Sequence, residues 1–480
     1  RKAEAARERK LEGQWVLPLQ NTTQQPAQVF LRDRATRERL FRASSTRTER
    51  GDGNDTRAIV LRLARLRAEQ AKLLGFPSLA AYVLDEQMAG TPERALALLT
   101  DLVPAITARV AEDSAAMQAL VEREGGSFRL EPWDWQYYAE QLRKTQYAFD
   151  ESQTRPYFEL DRVLQDGVFF TAHELYGLTF QERKDLPVYH PDVRVFEVFD
   201  ADGSPIALWY ADYFKRDEKA GGAWSNNFVD GSGLLGTKPV VYNVANFAKA
   251  AAGESTLISY DDVTTVFHEF GHALHQMLTR VEYPRLAGSN VATDFVELPS
   301  QLNEHWALDP TVLAHYARHY QTGAVMPEEL AAKLRKMGTF NQGFETGESV
   351  QAMLLDLAWH MLPAGAAPRD VDAFEADALG RFHVASRLIP PRYHSSYFEH
   401  IWSGGYDATY YAYLWSAVLD NDAFAWFTEH GGLTRENGQR FRDMILSRGG
   451  TEDPAVLYRE FRGRDPNVGA LLEARGLSPR

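Results

Sequence analysis

A chain of 480 residues with 44% hydrophobic and 25% charged side chains has a globular make-up, large enough for two or three average domains or one large helical body with a cleft. Its formal net charge of −14 argues against nucleic acid, whose phosphates it would repel, and against anionic membrane surfaces. The absence of cysteine excludes disulfides, thiolate metal sites and cysteine nucleophiles; it fits a reducing compartment, so a cytoplasmic location is expected.

No run of about 18 apolar residues occurs, so no membrane span is expected. Arg1 heads a charged helical run at 1–12 in place of a methionine or signal sequence, and the chain is expected to be a truncated or processed form. Residues 1 to about 176 read as mostly helical, with apolar residues near helical spacing at 57–74, 92–123 and 138–149. Gly75-Phe-Pro77 and Gly90-Thr-Pro92 punctuate them. The pattern changes at Leu186, which divides an expected helical region, 1–185, from a second region, 186–480.

Apolar and polar residues alternate over 193–213 about Asp200-Ala-Asp-Gly203, predicting a β-hairpin, and 238–247 predicts another strand. A small antiparallel sheet is therefore expected just ahead of residue 260. The glycine-rich stretches 215–224 and 230–233 lack the Gly-x-x-x-x-Gly-Lys-Ser/Thr phosphate pattern and read as mobile loops.

Residues 266–275, Val-Phe-His-Glu-Phe-Gly-His-Ala-Leu-His, contain His-Glu-x-x-His. On a helix His268 and His272 fall on one face one turn apart, close enough to share a zinc ion, and Glu269 reaches a metal-bound water without ligating. Val263, Phe267, Phe270, Leu274 and Leu278 form the apolar stripe of that helix, and Ser259, Asp261 and Asp262 supply capping oxygens and charge at its start. The alternative is a pair of hydrogen-bonded histidines on the edge of a buried helix. His275, one turn on, is assigned to packing or to support of the ligands.

Catalytic zinc takes three protein ligands and keeps a fourth position open. Glu297, 25 residues past His272, offers the third on a second helix, with Asp294 as its expected cap and Pro299 near its first turns. Glu304, two turns further, is placed to orient a ligand. From Met326 the helices return, broken at 363–368 and 389–391. Residues 393–415 are dense in aromatic hydrogen-bond donors: Gly404 and Gly405 permit close backbone approach, and Tyr406, Tyr410 and Tyr413 fall on one face of a helix expected from about Asp407. A tyrosine row of this kind, taken alone, reads as core packing. Tyrosine hydroxyls also suit a developing oxyanion, since they stay neutral at pH 7.

His-Glu-Phe-Gly-His-Ala-Leu-His with Asp294-Phe-Val-Glu-Leu-Pro-Ser-Gln301 resembles the thimet oligopeptidase family of zinc metallopeptidases, in particular its bacterial dipeptidyl carboxypeptidases. The resemblance extends over nearly the whole chain, including Asn21-Thr-Thr-Gln-Gln-Pro26, Tyr189-His-Pro-Asp-Val193 and residues 432–440; a further N-terminal helical region of the family is absent. It implies a mainly α, zincin-type fold with the small sheet beside the zinc helix and a deep cleft, residues 1–185 forming one wall. It also implies one zinc ion on His268, His272 and Glu297, with Glu269 as base. His400, Tyr406, Tyr410 and Tyr413 match a loop and helix that close over the metal: Tyr410 and Tyr413 are expected to donate to the transition state, with His400 in the catalytic set, and His400 and Tyr406 to contact substrate together with Gly404 and Gly405. The expected partners are short peptides, held in part as an added strand at the sheet edge, and the expected state is a monomer. Arg392, Lys215 and Arg216 are candidates for a substrate's terminal carboxylate. Internal cleavage of peptides and a non-catalytic peptide-binding role are the competing readings.

Overall fold

The helical spacings at 57–74 and 92–123 are realised, in a computed structural model of the chain, as helices Arg57–Leu73 and Pro92–Arg123. The structure describes residues 6–7, 9–17, 19, 27–147, 151–216, 218–219, 222–251, 253–366 and 368–478. Half of the charged run at 1–12, the whole segment 21–26 and the end of the 138–149 helix lie outside them. Val60, Ala64, Ala68 and Ala71 form the buried stripe of the first helix at spacings of three and four. Pro92 opens the second at a position where its missing N–H costs nothing, and Thr91 Oγ1 accepts the Arg94 N–H.

The chain forms two compact units, each discontinuous in sequence: residues 1–149, 339–411 and 476–480, and residues 150–338 and 412–475. The first unit is all helical in its regular elements among the described residues. Helix Gln342–His360 packs along Pro92–Arg123, and Trp135 stacks on Phe344 at 5.4 Å while donating to Asn341 Oδ1. The boundary expected at 185/186 falls inside the second unit. Aromatic packing explains this: Phe169 stacks on Phe180 at 3.9 Å and meets Phe196, Trp209 and Phe270, so the helical residues before 176 belong with the sheet.

The sheet has five strands: β1 Thr179–Glu182, β2 Arg194–Phe199, β3 Pro205–Phe214, β4 Trp224–Val229 and β5 Val240–Phe247, in the order β1-β2-β3-β5-β4. The expected hairpin is β2–β3, turned at Asp200–Gly203 with Gly203 at φ +82°. The sheet is mixed rather than antiparallel. Strand β4 runs out to the edge and β5 returns between it and β3, which makes β3–β5 a parallel pair. Strand β4, unmarked in the sequence, is the glycine-rich loop's exit. Asp212 at the end of β3 anchors that loop, accepting from Arg216, Lys219 and Tyr189.

Phe270, at 5.1 Å from Trp209, seats helix Tyr260–Met277 on the sheet. Ser259 and Asp262 close a reciprocal capping box at its start, as the sequence indicates. No described helix is long and apolar enough to cross a membrane.

Candidate active site

His268 and His272 project from consecutive turns of helix Tyr260–Met277, their ring centroids 5.0 Å apart. Opposite lies Glu297, at the junction between the short helix Thr293–Val296 and helix Leu298–His305. Its Oε2 stands 3.3 Å from His268 Nε2 and 3.0 Å from His272 Nε2. Donors sharing one tetrahedral ion at about 2.0–2.1 Å would be roughly 3.3 Å apart, so the three atoms have the spacing of a common metal shell. Among the described residues this is the one such group of His, Asp and Glu.

Four contacts hold the shell in place. His268 Nδ1 lies 2.6 Å from Glu304 Oε1; donation there leaves the Nε2 lone pair free for a ligand bond. Ser300 Oγ donates to Glu297 Oε2 at 2.9 Å and fixes that carboxylate. Asn303 Nδ2 donates to the Phe267 carbonyl at 2.7 Å, tying the two helices together. Gly271 lets them meet: a Cβ there would lie 2.5 Å from Pro299 O and 2.6 Å from Ser300 Cα.

Glu269 is buried beside the histidines, and its Oε2 has no hydrogen-bond partner. Burial pushes its carboxyl up against the pull of the two imidazoles. Its backbone carbonyl is fixed by Asn243 Nδ2 at 2.8 Å, and Asn243 Oδ1 accepts from Trp209 Nε1. Burial raises the Glu297 carboxyl too, but hydrogen bonds from both histidines outweigh it and hold the group well below its usual range. For His268, burial lowers the imidazole while Glu297 and Glu304 together carry it well above normal. An ionised carboxylate against two imidazoles is a site whose positive partner is either protons or a cation.

Asp294 does not cap the second helix; it sits within the first turn, fully buried. His275 is buried with both ring nitrogens unpartnered, and burial drives it down to about 3, so it packs as a neutral ring.

Tyr413 belongs to the same unit as the metal group: its carbonyl accepts from Gln301 Nε2, and Ser416 on the same helix donates to the Asp294 carbonyl. His400, Tyr406 and Tyr410 lie together in the other unit, with His400 ring centroids 6.2 Å from Tyr406 and 5.4 Å from Tyr410. They do not share a helix face with Tyr413. The helix begins at Ala412, because Ala408 takes φ +61°, a left-handed conformation that breaks a helix starting at Asp407. Burial keeps the Tyr410 phenol well above its usual range, a neutral donor, and lowers His400, whose Nδ1 is buried without a partner. Gly404 approaches the His400 backbone closely, and Gly405 is at φ +84°. Arg392 is engaged: it donates to Glu348 Oε1 at 2.7 Å. Arg216 forks onto Asp212, which leaves Lys215 as the exposed cation of the three.

The model of peptidase family M3 matches residues 30–477. This chain belongs to peptidase family M3. The family M3 chain is 55% identical over 476 residues to dipeptidyl carboxypeptidase of Escherichia coli K12, covering 99% of this chain and 70% of that protein. It is 37% identical over 484 residues to oligopeptidase A of the same organism, covering 98% and 70%. Among solved structures the M32 carboxypeptidase of Deinococcus radiodurans R1 superposes with a TM-score of 0.50 at 14% identity, over 94% of this chain and 77% of that one, a likeness of fold. The chain is thus a metal-dependent peptidase with a mainly helical, zincin-type fold.

Gly271, Asn243, Ser300 and Asn303 escaped the sequence reading. A glycine inside a helical pattern was the one available signal; the others act through contacts that no local spacing encodes.

Proposed function

We propose that the chain is a zinc peptidyl-dipeptidase, which releases dipeptides from the C-terminus of short, unstructured peptides. The convergence of His268, His272 and Glu297 on one point beside Glu269 carries the reading. Two imidazoles and one carboxylate are the donor set of a catalytic zinc with an open fourth position, one ion per chain. When bound, the ion would supply Lewis acidity that polarises the scissile carbonyl and lowers the pKa of water toward about 7. Glu269 takes the proton of the attacking water on its free Oε2 and delivers it to the leaving amine. Tyr410 and Tyr413 are assigned as donors to the developing oxyanion, each worth about two to three decades of rate. His400 is assigned to the same catalytic set, and Tyr406, Gly404 and Gly405 to contacts with the substrate. These assignments rest on the motif shared with the family and, for Tyr410, on the burial that keeps it a neutral donor. No covalent intermediate is required.

Dipeptide release is supported by the 55% identity to a protein named dipeptidyl carboxypeptidase. Of the cations considered for the terminal carboxylate, Arg392 is already paired with Glu348, which favours exposed Lys215. A cytoplasmic location and a monomeric state belong to the same proposal. The 37% identity to oligopeptidase A supports internal cleavage as a second reading. A peptide offered with a free and with an amidated C-terminus separates them: loss of cleavage on amidation supports dipeptide release, and equal cleavage supports the internal cutter. No cleavage with or without chelator would leave only a peptide-binding role.

A further inference from the structure

Asp356, fully buried in helix Gln342–His360, spends both carboxylate oxygens on the segment that carries Tyr410. Its Oδ1 accepts the backbone N–H of Ala408 and its Oδ2 that of Tyr410, both at 2.9 Å. That acceptor pairs two buried N–H groups and holds Ala408 in its left-handed conformation. One helical turn on, buried His360 sets its Nδ1 2.7 Å from Asp356 Oδ1 and its Nε2 2.7 Å from Arg67 Nη1. A guanidinium only donates, so Nε2 accepts and the proton sits on Nδ1, donated to Asp356. Arg67 also donates to the carbonyls of Ile401 and Trp402. One relay, Arg67–His360–Asp356, therefore grips the chain at both ends of Gly404–Gly405. Glycines would otherwise leave such a loop loose.

We propose that Asp356, steadied by His360 and Arg67, is a positioning residue for peptide hydrolysis: it fixes residues 401–410 and so sets where the Tyr410 hydroxyl points. The proposal rests on the reading of Tyr410 as a transition-state donor. In Asp356→Asn the amide has one acceptor oxygen for three donors and turns its own N–H groups toward them. Amide exchange over 403–411, followed by mass spectrometry, should speed up at least about tenfold. Turnover should fall about 10- to 100-fold with KM changed less than about twofold, because misplacing one donor acts on the transition state. His360→Gln keeps an N–H for Asp356 and an oxygen for Arg67 and should retain protection; His360→Leu should lose it. This pair preserves the test if Asp356→Asn folds poorly.

Unchanged exchange in both Asp356→Asn and His360→Leu overturns the proposal. In a Tyr410→Phe background the Asp356→Asn loss should shrink to less than about threefold, and a full loss there overturns it too, since Asp356 would then act elsewhere. A normal kcat in Tyr410→Phe refutes the role of Tyr410 alone, and the exchange result still decides whether Asp356 orders the segment.

Discussion

Replacing Gly271 by alanine adds one methyl group at a close approach between the two helices that carry the candidate metal ligands. That Cβ would stand 2.5 Å from Pro299 O and 2.6 Å from Ser300 Cα, with Asn303 Cβ at 3.0 Å. Non-bonded carbons settle at about 3.5–4.0 Å, and the first two obstacles are backbone atoms that no rotamer change removes. The helices must therefore part by roughly 1 Å, against a tolerance of about 0.2 Å for metal–ligand distances. The strain alone should cost about 1–3 kcal/mol of stability. Glu297 moves with Pro299 while His268 and His272 move with Gly271, so zinc affinity should drop by at least about 10- to 100-fold. Competition with a fluorescent chelator measures the affinity, and thermal unfolding with and without zinc measures the stability. Wild-type affinity in Gly271→Ala would refute the close approach as the feature that sets the shell.

Glu269→Gln should abolish turnover and keep stoichiometric zinc, as it removes a base and no ligand; loss of metal by elemental analysis would contradict the assignment. Glu304→Ala should weaken zinc about 10- to 100-fold by releasing His268 Nδ1, and an unchanged dissociation constant would show that the 2.6 Å contact does not support the ligand. Buried Asp420, paired with His305, is raised by burial from 3.8 to about 6. The native state then keeps a proton that the unfolded chain releases between those values, so stability falls as pH rises through this window, by at most about 1.4 kcal/mol per pH unit. Asp420→Asn should flatten that decline; parallel Tm-against-pH curves from pH 4 to 6.5 would refute it.

Periodicity and capping made the motif helix legible in full, because its stripe, its Ser259–Asp262 box and its two candidate ligands all lie within one short window. Glu297 was legible as a candidate ligand, but its setting between two helices was not. Pro299 removes an N–H and crowds the carbonyl four residues back, so the chain cannot run one helix through 293–305. The break falls at Glu297, with Asp294 left inside a single turn. The tyrosine segment failed for a different reason: its spacing fits a helix face, but Asp356, about fifty residues away in sequence, holds Ala408 and Tyr410 in a turn. The parallel β3–β5 pair was equally hidden, since strand order depends on where β4 goes and not on any alternation within the strands.

Helix Leu298–His305 shows why so short an element can define a site. Ser300, Gln301 and Glu304 follow Glu297 at offsets of three, four and seven, one face of a helix. On that face Ser300 steadies Glu297, Gln301 holds the Tyr413 backbone and Glu304 receives His268 Nδ1. Asn303, off that face, bonds the motif helix beside the Gly271 contact. His268 is thereby gripped at both ring nitrogens by carboxylates seven residues apart, Glu297 on Nε2 and Glu304 on Nδ1. Of these two carboxylates Glu297 also reaches His272, at 3.0 Å, so the proposed cation would sit on the Nε2 side and Glu304 would orient the ring.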